Sequence, residues 1–404
     1  MTPDGTPDPR ILSQDKAPRG PNAKLKRVLI IGATGVFGSR LTQHLARDAR
    51  FALLLASRDL ARAEALVSAI GPSNATLKPL ALDTRSRLTR EMIRLNPWCV
   101  VDCSGPFQRM GFSTARAALA AGAHILDLAD APSYLSGYCE ALDPLARRNR
   151  LSAIAGASST PALSGAVAAH LAQDLREIHE IEIAITPGGR SPVGSAVIEA
   201  MLSSAGREIA IWQNGKPATA RGWSDAKPLT IEPLPRRRAA LVETFDAHFL
   251  GRRHRVRGNV HFRAGLESWP EQLGLETLAK LRHAGLLGGL SALAPLLRRL
   301  RQITRLTTSN RGGMQVRLSG MTETGAQITR AWNLIAEQGH GPFVPILPMA
   351  ATIKALAQRR IGPGAKLAPE VLCLDEILQE ATPYALTWQT RGPAVSPDLH
   401  SALN

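Results

Sequence analysis

The stretch VLIIGATGVFGSRL, residues 28–41, decides the fold. VLII is apolar without alternation, as in a short strand covered on both faces. Gly32, Gly35 and Gly38 follow at intervals of three, and the chain then runs on as the start of a helix. Each glycine has a physical reason. Gly32 permits a tight turn, a side chain at Gly35 would collide with an approaching pyrophosphate, and Gly38 lets helix and strand pack closely. The N–H groups and dipole of the new helix then hold the negative charge.

Working outward, five further strand candidates follow: FALLLAS (51–57), LKPLALD (77–83), CVVDCSG (99–105), HILDLAD (124–130) and LSAIAGAS (151–158). Helical stretches separate them, one starting at Asp59, a natural N-cap. Apolar strands alternating with crossover helices predict an α/β, Rossmann-type, doubly wound parallel sheet. In such a sheet the strand ends carry the ligand. Ser57 and Arg58 stand about 20 residues beyond Gly38, where an acid would hold a ribose 2′-hydroxyl; Ser plus Arg suits a 2′-phosphate instead. Asp83, closing the third strand, is placed to meet the adenine. Ser104, Gly105 and Pro106, after the fourth, can frame the nicotinamide ribose and ring. Asp102 and Cys103 inside that strand read as structural.

After Pro161 the texture changes. EIHEIEIAIT (177–186) alternates apolar and polar residues, as in a half-exposed antiparallel strand. REIAIW leads into the turn Asn214-Gly215, and MQVRLSG and AQITRAWNLIA flank MTETG as a hairpin. Residues 271–305 are helical, basic and amphipathic. This predicts a second, α+β domain with a mixed or antiparallel sheet. The expected organisation is a disordered tail (1–24), a dinucleotide-binding domain (25–158), an α+β substrate or dimerisation domain (159–342), C-terminal helices returning to the first domain (343–382), and a tail (383–404). GASSTPALSG (156–165) is either a hinge open to a ligand or a plain connection. In GHGPFVP (339–345), His340 is either a proton donor or substrate contact, or an ordinary surface histidine.

Composition limits the alternatives. With 404 residues, 44% hydrophobic and 20% charged, the chain is globular and long enough for two domains. Aromatic residues make up only 4%, so the core rests on Leu, Ile, Val and Ala. Four cysteines without a CxxC pair indicate reduced thiols and a cytoplasmic setting. The N-terminus MTPDGTPDPR lacks an apolar signal region, and the longest uncharged apolar run, 284–297, is too short to span a bilayer. The net charge of +16 fits an acidic partner (nucleic acid, an anionic lipid or a phosphorylated cofactor) or simply a solvated basic surface. No helix-turn-helix, zinc finger or RNP pattern supports nucleic acid. There is no Tyr-x-x-x-Lys, G-x-S-x-G, HExxH or P-loop, and no metal site is expected. Ser158-Ser159-Thr160 stands where an acylating dehydrogenase wants a cysteine.

The residues IIGATGVFGSRL, ASRD, ALDTRS, VVDCSGPFQRMG, LDLADA, GASSTPALSG and GHGPFVP…GPGAKLAPE together resemble the saccharopine dehydrogenase-like oxidoreductases, from about residue 27 to 378. The resemblance implies an NADP-binding Rossmann domain, a second domain with a mixed sheet, and C-terminal helices that return to the first. It places Gly32, Thr34, Gly35, Phe37 and Gly38, with Val36 among them, on the pyrophosphate. Ser57 and Arg58 fall at the adenosine end, and Ser104, Gly105 and Pro106 on the nicotinamide side. The expectation is an NADP(H)-dependent oxidoreductase that moves a hydride to or from a C=N, C=O or C=C group of a small substrate held between the domains. Two alternatives stay open: a nucleotide-binding sensor or scaffold without turnover, and a peripheral membrane protein using residues 275–305. A homodimer is compatible with either.

Overall fold

The computed structural model describes residues 25–83, 88–293, 302 and 304–393. The expected tail at 1–24 and the end of the chain after 393 lie outside these residues.

The first sheet has seven strands: β1 (Lys26–Ile31), β2 (Phe51–Ser57), β3 (Thr76–Ala81), β4 (Cys99–Asp102), β5 (His124–Asp127), β6 (Ser152–Ala155) and, far along the chain, β15 (Gly364–Leu367). Their order is β15-β6-β5-β4-β1-β2-β3, and every neighbour runs parallel. The last four residues of β1 and all of β4 are buried, as their unbroken apolar runs require. The strand order reverses at β1. Its last residue, Ile31, lies between Ala56 of β2 and Asp102 of β4. A crevice opens at such a switch point, outside the carboxyl ends of the strands.

The second sheet holds β7 (Leu175–Thr186), β8 (Glu208–Gln213), β9 (Lys216–Arg221), β10 (Lys227–Leu229), β11 (Arg237–Leu241), β12 (Asn259–Ala264), β13 (Gly312–Thr322), β14 (Gln327–Ala336) and β16 (Leu386–Arg391). Its main path is β10-β11-β12-β7-β13-β14-β16, with the β8–β9 hairpin attached to β12. The sheet is mixed. β12 runs parallel to β7, while β13 lies antiparallel on its other side. Along β7, Ile181 and Ile183 are buried while Glu180 and Glu182 reach outward, which is the alternation of a sheet covered on one face. Leu386–Arg391 corrects the expectation of a C-terminal tail: it is the edge strand β16, paired with β14. Only Leu386 of this strand is buried, so its sequence carries little apolar signal.

The chain passes between the sheets three times, after β6, after β14 and after β15. The second passage carries a short 3-10 segment (Gly341–Ile346) and a helix (Leu347–Ala357) onto the helix Val36–Leu45 that follows β1. A buried polar clamp fixes the join. His44 Nδ1 lies 2.7 Å from the Tyr384 hydroxyl, and its Nε2 lies 2.6 Å from Glu380, which Lys354 also pairs at 2.7 Å. Part of the excess positive charge is structural. Buried Arg263 pairs with Glu182 and Asp225, and buried Arg330 with Asp174. Outside helix Trp269–His283 the expected helical stretch 271–305 is only partly described; its ends are short 3-10 turns.

Candidate active site

At the end of β1 the backbone turns through Gly32 with φ +73°. A Cβ at Gly32 would stand 3.0 Å from the backbone of Cys103 and Ser104, so the β1 turn and the β4 turn are pressed together. A Cβ at Gly38 would fall 2.2 Å from the Gly32 carbonyl oxygen, which no rearrangement of side chains can relieve. Gly35 differs: its Cβ would meet only the Gly32 oxygen, at 3.1 Å, so what its missing side chain leaves open is the mouth of the turn. Gly35 is the N-cap of helix Val36–Leu45, no side chain caps that helix, and its first turn carries no acid. Its N–H groups and dipole are therefore available to an anion. This turn fits a pyrophosphate.

Next to it, the Thr34 and Ser57 hydroxyls are 3.3 Å apart, joining the turn to the end of β2. Arg58 is exposed there. Its neighbour Asp59 accepts from the Ala61 amide at 3.0 Å and caps helix Leu60–Ile70, which commits its carboxylate away from a ribose. Asp83 is exposed just beyond β3.

On the other flank, the Ser104 amide and hydroxyl both donate to Asp102, at 2.9 and 2.5 Å. Burial raises the pKa of Asp102, against the pull of these bonds. Asp127 closes β5. It accepts from the Gly156 and Ala129 amides and from the Tyr134 hydroxyl, tying β5 to β6 and to helix Pro132–Arg148. Burial pushes its pKa up to about 7. Asp246, buried and accepting from Ser164, is pushed up to about 6 by the same cause.

Between the turn and the second sheet lies a cavity of about 220 Å³. Phe37, the second residue of the helix and set between Gly35 and Gly38, forms part of its wall; so does Ser159 after β6. The second sheet contributes the ends of β7 and β14 and the start of β13, and residues 191–194 and 341–345 complete it. A side chain at Gly194 would touch Val36 at 3.8 Å, which shows how near the 187–194 loop comes to the glycine turn. Arg109, beyond the β4 turn, pairs with Glu199 of helix Ser195–Ser204 at 2.9 Å across the same gap.

Residues 28–156 match the family described as saccharopine dehydrogenase NADP binding domain. This part of the chain is similar to a saccharopine dehydrogenase NADP-binding domain. Its cofactor is NADP(H), and the family is one of oxidoreductases. Over 91% of this chain and 100% of the other, the structure is similar to apo saccharopine dehydrogenase (L-Glu forming) from Saccharomyces cerevisiae, with a TM-score of 0.66 and 16% identity. That likeness shows a shared fold. A second similar structure is the DAP dehydrogenase of C. glutamicum in complex with DAP, at 13% identity over 89% of this chain and 98% of that one, with a TM-score of 0.46. No curated protein matches the chain.

Within the NADP-binding domain, the residues singled out from sequence come together around one crevice: Gly32, Thr34, Gly35, Val36, Phe37 and Gly38 on β1's turn, Ser57 and Arg58 on β2's, and Ser104, Gly105 and Pro106 on β4's. His340 stands apart. Its Nδ1 accepts from the Ala385 amide at 2.9 Å, and its ring packs edge-on against Phe343 and Tyr384. Burial, then the nearby Arg47 and Arg40, lower its pKa, which favours the uncharged ring. Gly341 and Pro342 line the cavity; His340 does not. The cavity walls at 185–194, 312–314 and 334–336 were not singled out from sequence. No motif marks them, because each is an ordinary strand end or loop until the fold assembles them.

Proposed function

We propose that the chain is an NADP(H)-dependent oxidoreductase that moves a hydride to or from a C=N, C=O or C=C group of a small molecule held between its two sheets. The observation that carries this reading is Phe37. It belongs to the helix whose open N-terminus faces the glycine turn, and it is also part of the cavity wall, so nucleotide and substrate would meet across one side chain.

NADP(H), when bound, supplies or takes the hydride. The chain's own residues bind and orient. Backbone N–H groups of Thr34, Val36 and Phe37 hold the pyrophosphate, the Gly35 N–H being donated to the Gly32 carbonyl at 2.9 Å, and Arg58 with the Ser57 hydroxyl meets the 2′-phosphate. Asp83 serves the adenosine end. Ser104, Gly105 and Pro106 flank the nicotinamide, with buried Asp102 fixing Ser104. The apolar cavity keeps water from the reacting carbon. The division puts domain limits near residue 158 and near 342, with β15 returning to the first sheet and β16 to the second.

The test is a fluorescence titration of the parent with NADPH, followed by absorbance screening of candidate substrates. The reading requires saturable NADPH binding that Gly35→Val removes from a folded protein. An unchanged affinity in that variant would overturn it.

A second reading has its own observation. Trp269, Leu286 and Leu306 are 68%, 71% and 78% exposed, and Thr304 hydrogen-bonds Glu271, bringing the turn of Leu306 beside the helix of Trp269. No helix among the described residues is long and apolar enough to cross a membrane. Exposed apolar side chains at both ends of helix Trp269–His283, on a strongly basic chain, suit the surface of an anionic bilayer. Salt-sensitive sedimentation with phosphatidylserine vesicles, absent with phosphatidylcholine vesicles, is the expected result; equal sedimentation with both refutes it.

A further inference from the structure

We propose that the cavity beside Phe37 takes an uncharged, apolar part of the substrate and rejects a carboxylate. The proposal rests on the reading of this cavity as the substrate site and specifies what enters it.

Among the described residues that line the cavity, none carries a formal charge. Its floor is Ile185, Met314 and Leu334, its far wall Val193, Val197 and Val344. The polar side chains in the wall are three hydroxyls, Ser159, Thr186 and Ser191. One of them is engaged: Thr186 Oγ1 accepts from Arg237 Nη1 at 2.9 Å.

Neighbouring arginines do not make a carboxylate clamp. Arg237 is buried behind Thr186. Its Nη1 also donates to the Thr186 and Pro187 carbonyls, and its Nη2 to the Arg311 carbonyl and Glu267. Arg311 pairs with Glu337 at 2.8 Å. Arg190 donates to the carbonyls of Arg305 and Leu306. Each of these three guanidinium groups therefore holds the second domain together, and Arg109, across the gap, is paired with Glu199 at 2.9 Å. A carboxylate entering this site would lose its water and gain no cation, the least favourable way to bury a charge. An alkyl, acyl or aromatic group would lose nothing, and each buried methylene would add about fourfold to affinity.

The probe is N-phenyl-1-naphthylamine, an uncharged fluorophore, titrated into the parent with and without NADPH. One saturable site is expected. Straight-chain alcohols from butanol to octanol should displace it, with affinity rising about fourfold per methylene until the cavity is filled. Hexanoate and 2-oxoglutarate should displace it at least tenfold more weakly than hexanol. Val193→Asp combined with Val197→Glu should weaken probe binding at least tenfold while NADPH affinity and melting temperature stay at parent values. Val197 is 38% exposed on a helix, so the substitution is compatible with folding; Val197→Thr, milder still, should weaken the probe detectably. Displacement by hexanoate as strong as by hexanol, or probe binding indifferent to all three substitutions, overturns the proposal. Failure of NADPH to bind leaves the probe result standing and counts against the oxidoreductase reading instead.

Discussion

In the parallel sheet, the groups proposed to meet the nucleotide come from seven consecutive residues, 32–38, and the ends of β2, β3 and β4. In the mixed sheet, the cavity wall is gathered from stretches more than a hundred residues apart, 185–194 and 312–345. The first arrangement is written in backbone: glycines, an uncapped helix, positive φ. The second is written in side-chain character alone. A backbone site tolerates almost no change at its tightest point, whereas a side-chain site changes specificity before it changes fold.

The most damaging substitution should be Gly38→Val. Its Cβ would overlap the Gly32 carbonyl, so the turn cannot close and the parallel sheet should not form. Far-UV circular dichroism and solubility check this; a well-folded variant would break the contrast. Gly35→Val should separate binding from folding. It meets only the Gly32 oxygen at 3.1 Å, so the protein should fold, yet NADPH affinity should fall at least about 100-fold by calorimetry as the new side chain keeps the anion from the backbone donors of the helix start.

Arg58→Ala should have an intermediate effect. One good charge-assisted contact with a 2′-phosphate means about a 10- to 100-fold preference for NADPH over NADH. The parent should show that preference, and the variant should lose most of it by binding NADPH worse. Retained preference would move the phosphate elsewhere.

Asp127→Asn sharpens the comparison through pH. Burial raises the Asp127 pKa in the folded state from its ordinary 3.8 to about 7. The folded state then holds a proton the unfolded chain has lost, so this group's stabilisation is full below about pH 4 and disappears as pH rises to about 7. Glu380 and Glu267 work in the opposite direction, since their pKa values are lowered. The quantity to read is therefore the melting temperature of parent minus variant, which should decline between pH 4.5 and 7.5. A difference independent of pH would refute the assignment.

The smallest effect on turnover should come from His340→Ala. The variant leaves the Ala385 amide without its acceptor, a loss of about 1–3 kcal/mol in stability. The rate with any substrate should stay within about threefold of the parent, well below the ~100-fold or more of a lost general acid. A drop of that size would return His340 to the proton-donor role its glycine- and proline-rich loop suggests.

Local signals account for what could be read in advance. The unbroken apolar runs of β1, β4 and β5, the glycine triplet, the Asp59 cap and the Asn214-Gly215 turn (φ +52° and +74°) each depend on a few adjacent residues. What depends on partners could not be read. β15 is only GAKL, and β16 alternates polar residues on an exposed edge. The parallel pairing of β12 with β7 leaves no mark, because alternation gives burial and not direction. His340 looks catalytic by its neighbours in sequence, and only the fold brings the Ala385 amide to its ring.

The position of β15 matters during synthesis. The edge of β6 is ready to pair as soon as residue 155 has emerged, but its partner is translated about 200 residues later, on the order of 10–40 s at ordinary elongation rates of ~5–20 residues per second. Throughout that interval an apolar strand, Ser-Ala-Ile-Ala, presents an open row of backbone donors and acceptors. The nascent chain therefore passes through a stage at which it can pair with another copy, and a ribosome stalled before residue 364 would hold it there.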